Sequence, residues 1–216
     1  MPVLRNIGVL AVGPAADRPG TLREVSGAAL AWTEGVVRWA GPDHELPGEW
    51  RREESWDADG RLVVPGLVDC HTHLVFGGWR TGELERRLRG DGYLDIAREG
   101  GGIAATVART RALSDDALAA RGRGFLAEMA KLGVTTVEAK SGYGLEHDEE
   151  LRLLRIQRRL DREGPLRVVS TLLAHVVPSG WRARREEYVD RFARELVPLA
   201  ARDRLADACD VYVDDG

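Results

Sequence analysis

The amino-acid sequence predicts an α/β fold: a partial (β/α)8 TIM-type barrel with its first four strands and three main helices, preceded by a small β-sandwich module. Predicted strands and helices alternate from residue 61 onward, which is typical of a parallel sheet. His71, Lys140 and His175 follow or end predicted strands, where such barrels carry their catalytic groups. The first of these strands is not followed by the glycine-rich phosphate loop of an open doubly wound sheet, which favours the barrel.

Residues 1–60 are predicted to be an amino-terminal β module that forms part of a composite β-sandwich. Residues 7–12 are an apolar run of strand length, and the apolar runs that flank residues 33–35 indicate a hairpin. Asp59-Gly60 indicates a further turn. Because we find no helical period in this region, we expect short strands joined by turns.

Residues 61–216 are predicted to be the first half of the barrel. Residues 62–69 are a nearly continuous apolar run, which is typical of a strand that is buried on both faces. Ser114 and the two aspartates after it predict the start of a helix, and Gly133 predicts its end. By the same criteria we predict strands at 134–140, 166–175 and 206–213, helices at 148–162 and 186–202, and short helical pieces within 75–113.

The length of the chain limits how much of a barrel it can form. A complete (β/α)8 barrel takes about 250 residues, whereas residues 61–216 hold four predicted strands. Four strands do not close into a barrel, so the sequence predicts a truncated one. We expect its open edges to expose strand hydrogen-bonding groups and apolar surface.

Composition and charge exclude several classes of protein. The chain is 44% hydrophobic and 31% charged, within the range of globular proteins. A net charge of −4 gives no basic field for nucleic acid or for an anionic membrane. No apolar stretch approaches a membrane span, and two cysteines are too few for a disulfide scaffold. We therefore expect a cytoplasmic protein with a small-molecule substrate.

Two histidines at the end of the first barrel-type strand indicate a metal site. His71 and His73 are two positions apart, and side chains at that spacing on a strand point to the same side. Both imidazoles can then bind one metal ion, and a catalytic zinc usually takes three protein ligands and a water. The alternative is two polar residues at a strand-to-loop junction. Their position after a long apolar strand favours the metal site.

Several motifs resemble known proteins over nearly the whole chain. VVPGLVDCHTHL, at residues 63–74, resembles the first-strand signature of the amidohydrolase superfamily. Further motifs resemble the imidazolonepropionase family within that superfamily. These are HTHLVFGGWR, RLRGDGYLDIAREGGGIAATVARTR, GVTTVEAKSGYGL, and YVDRF followed by LADACDVYVDDG. The resemblance covers about the first half of the family's usual length.

The resemblance implies an enzyme of histidine degradation that hydrolyses 4-imidazolone-5-propanoate to N-formimidoyl-L-glutamate. It also implies one divalent metal ion, zinc or iron, inside a barrel that is flanked by a β-sandwich. For the full-length form it suggests a homodimer. The alternative within the superfamily is another cyclic-amide hydrolase or a deaminase, although those enzymes should lack the combined GGWR and KSGYGL motifs.

The resemblance also assigns roles to five side chains. His71 and His73 match the first two metal ligands, and Arg80 in GGWR matches the arginine that binds the substrate carboxylate. A guanidinium suits that role because it binds a carboxylate through two parallel hydrogen bonds. Tyr143 and His175 match substrate-binding residues, although the chain lacks a residue that the family usually has before Ala-His. Without the motifs, the last three would be interpreted as a surface arginine, a loop aromatic and a core histidine.

Other groups of the family's site do not occur in this sequence. They are a third metal histidine, a glutamate for proton transfer and a metal-binding aspartate, which Asp210, Asp214 and Asp215 do not match. Lys140 ends the second strand, so it does not match the metal-bridging lysine of some superfamily members, and we expect it to pair with Glu138 or a backbone carbonyl. We therefore assign no catalytic residue within this chain. We expect the isolated chain to be inactive, or to be a half-barrel that needs a complementing polypeptide.

Overall fold

The computed structural model describes residues 2–14 and 20–213, and the chain divides into two compact units. The first unit is Met1–Gly66 and the second is Leu67–Gly216. The sequence predicts a boundary after residue 60, and strand pairing carries the first unit beyond that point. Asp214 and Asp215, which do not match the metal-binding aspartate of the family, lie outside the described residues.

The first unit is built on one sheet, with the strand order β3-β2-β1-β4 and with β5 also paired to β1. Its strands are β1 (Val3–Pro14), β2 (Leu22–Thr33), β3 (Val36–Pro42), β4 (Ser55–Asp57) and β5 (Leu62–Val63). The predicted hairpin is confirmed, because β2 and β3 pair antiparallel around Glu34 and Gly35. Both of these residues have positive φ, 51° and 73°, as a tight hairpin turn of type I′ requires.

The apolar run at residues 62–69 forms two strands, so the prediction of a single strand buried on both faces is wrong. Leu62–Val63 pairs with β1 in the first unit, and β6 (Leu67–Thr72) belongs to the second. Pro65 and Gly66, which lie between them, have low strand propensity. Leu67 and Val68 are 52% and 63% exposed, because β6 lies at an edge of its sheet as the described residues form it.

The second unit contains a parallel sheet with the order β6-β7-β8-β9. Its further strands are β7 (Val134–Lys140), β8 (Arg167–Ala174) and β9 (Ala208–Val211). Each strand pairs parallel with the next along the chain. The three later predicted strands and the half-barrel sheet are therefore confirmed. This order brings the carboxyl ends of all four strands to the same edge of the sheet.

Helices connect the strands, as the sequence predicts. Before β7 lie α1 (Thr81–Leu88), α2 (Tyr93–Arg98), α3 (Gly102–Ala112) and α4 (Asp115–Lys131). After β7 lie α5 (His147–Glu163), α6 (Arg185–Arg191) and α7 (Val197–Arg202). The predicted start of α4 is confirmed, because the Ser114 side chain accepts a hydrogen bond from the Ala117 amide at 3.2 Å. Gly133, with φ +84°, follows its end.

A π-helical turn, Phe192–Leu196, joins α6 to α7 within the region that the sequence predicts as one helix. The Val197 amide donates to the Phe192 carbonyl, five residues earlier. Pro198 explains this local widening, because it has no amide hydrogen and its ring would clash with the carbonyl of Arg194 in a regular helix. The chain therefore keeps one helical direction through a proline.

Two apolar clusters lie in the second unit. In the first, α4 and α5 pack on the sheet through Leu126, Leu153 and Leu160, which are fully buried. The second joins α5, β8 and the helices after it, through side chains that include Leu154 and Leu196. Among the described residues, no helix is long and apolar enough to cross a membrane.

Two glycines of α4 give a matched test of how closely this helix packs on α5. A Cβ at Gly122 would lie 2.5 Å from Cδ1 of the buried Leu160, whereas a Cβ at Gly124 meets no heavy atom of the described residues within 4 Å. We expect Gly124→Ala to raise the free energy of unfolding by about 1 kcal/mol through helix propensity. Gly122→Ala should lose that gain through overpacking and be about 1–3 kcal/mol less stable than Gly124→Ala in urea melts. Equal stabilities of the two variants would show that α5 moves away from the added methyl group at little cost in free energy.

Candidate functional site

The carboxyl end of β6 presents the two histidines of the predicted metal site. His71 belongs to β6 and is exposed, and His73 follows the strand and is half-buried. Their ring centroids are 6.1 Å apart with an interplanar angle of 67°. Burial of His73 comes from the residues that follow β7 and β8, which close over it from the neighbouring strand ends.

Tyr143 and His175, which the sequence predicts as substrate-binding residues, lie directly against His73. The ring centroid of His73 is 4.6 Å from that of Tyr143 and 5.4 Å from that of His175. The rings of Tyr143 and His175 are 5.5 Å apart. The structure therefore brings four of the five predicted side chains into one group at the carboxyl edge of the sheet.

Burial sets the protonation of His73 and His175. The pKa of His73 is lowered to about 4, mainly by burial and also by the positive charges that His175 and His71 would carry. Burial also lowers the pKa of His175, with a smaller contribution from the charge of Arg80. The rings of His73 and His175 are therefore uncharged at neutral pH, which is the form that binds a metal ion or accepts a hydrogen bond.

The tautomer of His175 follows from its partner. Its Nδ1 lies 3.1 Å from the Gly142 carbonyl oxygen, which can only accept a hydrogen bond. Nδ1 of the neutral ring therefore carries the proton and donates it to that carbonyl. Nε2 is then left as an acceptor for a ligand N–H.

Arg80 immediately precedes α1 and lies at a cavity of about 360 Å³, which Trp79, Glu83 and Arg109 also line. Its Nη1 is buried without a hydrogen-bond partner in the described part of the chain, and the nearest carboxylate oxygen, on Glu83, is 3.6 Å away. The charge of Arg80 also contributes to lowering the pKa of His175. A buried guanidinium N–H without a partner suits an anionic ligand group.

The end of α3 holds the Gly77–Arg80 segment. The Gly77 amide donates to the Thr110 hydroxyl at 2.9 Å, and Arg109 donates to the Trp79 carbonyl at 2.6 Å. A Cβ at Gly77 would lie 2.3 Å from the Arg109 backbone, so this close approach requires glycine. Neither Arg109 nor Thr110 stands out as a site residue in the sequence, although both lie in a motif that carries the resemblance.

An ion-pair network lies beside the histidines on β7 and β9. Lys140 Nζ is 2.6 Å from Glu138 Oε1, as the sequence predicts, and 2.8 Å from Asp210 Oδ2. Thr171 on β8 also donates to Glu138, at 2.8 Å. The lysine side chain is 9% exposed, so these carboxylates neutralise a nearly buried charge. Lys140 therefore ties β7 to β9.

The donor chemistry of the site fits part of a metal centre. His71 and His73 supply two imidazoles, and Nδ1 of His73 is buried without a hydrogen-bond partner among the described residues. Within residues 2–14 and 20–213, no three or more His, Cys, Asp and Glu side chains converge as a metal-binding group. Because a catalytic zinc usually takes three protein ligands, these two histidines are an incomplete set.

The fold of the chain matches about half of several solved enzyme structures. No family model matches the sequence. Guanine deaminase from C. acetobutylicum superposes with a TM-score of 0.54 and 13% identity, over 97% of this chain and 45% of that chain. 5-Methylcytosine deaminase from Klebsiella pneumoniae gives a TM-score of 0.54 and 18% identity, over 98% of this chain and 51% of that chain. At these identities the likeness shows the fold alone.

Curated proteins with higher sequence identity narrow the family that this chain resembles. Imidazolonepropionase from Acidiphilium cryptum (strain JF-5) is 48% identical over 212 residues, 98% of this chain and 51% of the relative. Imidazolonepropionase from Pseudomonas entomophila (strain L48) is 43% identical over 194 residues, 89% of this chain and 48% of the relative. The predicted resemblance to the imidazolonepropionase family is therefore confirmed. The chain spans about half the length of the curated relatives it matches.

Proposed function

We propose that the chain supplies half of a metal-dependent active site that hydrolyses 4-imidazolone-5-propanoate to N-formimidoyl-L-glutamate. One observation carries the proposal: His71, His73, Tyr143 and His175 converge at the carboxyl edge of the sheet. The sequence similarity to proteins named imidazolonepropionase supports this substrate over others.

The side chains present suit the two ends of that substrate. The substrate is a planar five-membered ring with a propionate tail. Arg80 provides a buried N–H that has no hydrogen-bond partner among the described residues, and a guanidinium can bind a carboxylate through two hydrogen bonds. His175 provides an acceptor nitrogen for a ring N–H, and the ring of Tyr143 provides an aromatic surface beside it. These contacts would orient the ring relative to the histidines.

His71 and His73 would hold one divalent ion, either zinc or iron, because imidazole suits both. When bound, such an ion supplies a water of lowered pKa as the nucleophile. The resemblance assigns the remaining ligands and the proton-transfer glutamate to motifs that this sequence does not contain. We therefore expect no turnover by the isolated 216-residue chain.

The test is complementation. The chain would be refolded together with the non-matching half of the Acidiphilium cryptum relative, with zinc or iron added, and loss of 4-imidazolone-5-propanoate would be followed by absorbance. Turnover by the mixture and none by either half would support the proposal. A stable, metal-loaded complex without turnover would refute it, and turnover by the chain alone would refute the expected inactivity.

A deaminase or another cyclic-amide hydrolase is the second candidate, because the structural neighbours include guanine and 5-methylcytosine deaminases. The same mixture should be offered guanine and hydantoin. Turnover of either, with 4-imidazolone-5-propanoate left intact, would favour this candidate. Homodimer formation by the complete enzyme stays a prediction.

The edge strands of the parallel sheet, β6 and β9, support the proposal that a second half of the barrel completes the site. Large apolar side chains are exposed on and beside β6 and β9, among them Val68 at 63% and Val211 at 62%. Unpaired strand edges with apolar side chains favour pairing with another chain. A half-barrel of this kind would bind a complementing polypeptide through β6 and β9.

A further inference from the structure

The segment that carries Tyr143 is held by a buried carboxylate that the proposed chemistry does not use. Glu150, in the first turn of α5, is 1% exposed. It accepts hydrogen bonds from three backbone amides of this segment, those of Gly142 at 2.7 Å, Gly144 at 2.8 Å and Leu145 at 2.6 Å. The two oxygens of a carboxylate have room for these three donors and more. Glu150 therefore fixes the amides on both sides of Tyr143.

Two further side chains hold the carbonyl groups of the same segment. Arg111, at the end of α3, donates from Nε to the Gly144 oxygen at 2.9 Å. The Tyr188 hydroxyl, on α6, donates to the Leu145 oxygen at 2.8 Å. The segment is thus anchored from three helices, and none of these contacts involves the Tyr143 ring.

The backbone of this segment needs such anchoring because it is strained and closely packed. Leu145 has φ +65°, a conformation that costs a non-glycine residue free energy unless its surroundings hold it. A Cβ at Gly144 would lie 2.7 Å from the backbone of Glu149 and Glu150, so the segment packs too closely on α5 for a side chain at this position. Without the carboxylate, relaxation of this backbone would move the neighbouring Tyr143.

We propose that Glu150, assisted by Arg111, is a positioning residue that sets the place of the Tyr143 ring beside His73 and His175. This inference rests on the proposed function, in which Tyr143 contacts the substrate ring. A carboxylate is suited to this role because it only accepts hydrogen bonds, so every donor of the segment must turn toward it. An amide at the same place would present an NH2 group to the backbone amides and lose one acceptor oxygen.

The test compares Glu150→Gln with Glu149→Gln in the 216-residue chain. Glu149 is the adjacent residue of α5, is 30% exposed and pairs with Arg152, so it controls for loss of one charge on this helix. The first readout is the NMR shift of the Tyr143 ring protons, which the imidazole rings 4.6 and 5.5 Å away displace by their ring currents. The second readout is the Kd of 3-(imidazol-4-yl)propanoate, a stable analogue with the same tail.

We expect Glu150→Gln to abolish the ring-current shift and to weaken analogue binding by about 10-fold or more, because a small misplacement of a positioning group is costly. Glu149→Gln should match the parent chain in both readouts. A folded Glu150→Gln variant that keeps the Tyr143 shift would overturn the inference. If the parent chain does not bind the analogue, the proposed function loses its support, while the ring-current comparison still decides whether Glu150 positions Tyr143.

Arg111→Gln keeps the inference testable if Glu150→Gln does not fold. Arg111 is exposed and contacts the segment from the end of α3, so its loss should leave the fold intact. We expect a partial loss of the ring-current shift and of analogue binding. An unchanged ring-current shift in a folded Arg111→Gln variant would show that Arg111 does not help to position Tyr143. Unchanged shifts in both variants would overturn the proposal.

Discussion

His73→Ala is expected to lower kcat/KM of the complemented enzyme by about 10³-fold or more, comparable with or beyond the loss of one group that stabilises a transition state. His73 lies at the centre of the group, within 4.6 Å of the Tyr143 ring and 5.4 Å of the His175 ring. Its neutral imidazole is one of two proposed metal ligands, so alanine removes a ligand and leaves a gap between the substrate-binding rings. Steady-state hydrolysis of 4-imidazolone-5-propanoate measures the effect.

His44→Ala is the matched control for this prediction. The His44 side chain is 79% exposed and belongs to the first unit, so its removal should leave both turnover and metal content unchanged. Zinc bound per complemented enzyme, measured by atomic absorption, should fall with His73→Ala only. Full activity of His73→Ala would refute the assignment of the site.

Lys140→Met is expected to lower the free energy of unfolding at pH 7 by about 2–3 kcal/mol, somewhat less than the roughly 3–5 kcal/mol for breaking a fully buried ion pair. The lysine is nearly buried, but Glu138 and Asp210 are 28% and 46% exposed, so solvent reduces the cost of leaving them unpaired. Methionine nearly keeps the length of the side chain, so the loss of stability measures the contribution of the Lys140 charge. Chemical denaturation followed by circular dichroism measures it.

The pH dependence of this difference has a definite sign. Hydrogen bonds from Lys140 hold the pKa of both Glu138 and Asp210 below the usual range. A carboxyl group with a lowered pKa contributes stability above its unfolded pKa of about 4, and that stability is lost as pH falls toward the folded pKa. The difference in the free energy of unfolding between the parent chain and Lys140→Met should therefore become smaller below about pH 4.

Lys131→Met is the control for both measurements. Lys131 pairs with Glu128 at 2.6 Å, but both side chains are about 70% exposed. Such surface pairs contribute little, so this variant should unfold like the parent chain at every pH. An equal loss in the two lysine variants would show that burial of Lys140 has no energetic effect.

Local signals in the sequence were sufficient to predict most of the strands and helices of the second unit. β7 has the bounds that its β-branched run predicts, and α4 starts after Ser114 and ends before Gly133. These features depend on residues that are neighbours in the chain, such as a cap and the helix that it begins. The positions of His71 and His175 at strand ends were predicted from the same kind of local signal, the apolar run before each histidine.

The division of residues 62–69 could not be predicted in this way. An apolar run reports that a segment is strand-like, but it does not report which strand it pairs with. Leu62–Val63 joins β1, more than 50 residues earlier in the chain, while Leu67–Thr72 joins β7. Pairing over such distances is decided by the whole sheet.

The sequence by itself determined the alternation of strands and helices, the residue types of the site and the resemblance to one family. Only the tertiary structure decided which side chains hold the site in place. Glu150 is one of three acidic residues in the first turn of α5, and nothing local separates it from Asp148 and Glu149. It alone accepts the amides of the Tyr143 segment, because its direction depends on how α5 packs against the end of β7. Hydrogen bonds of this kind form between groups that only the folded chain brings together.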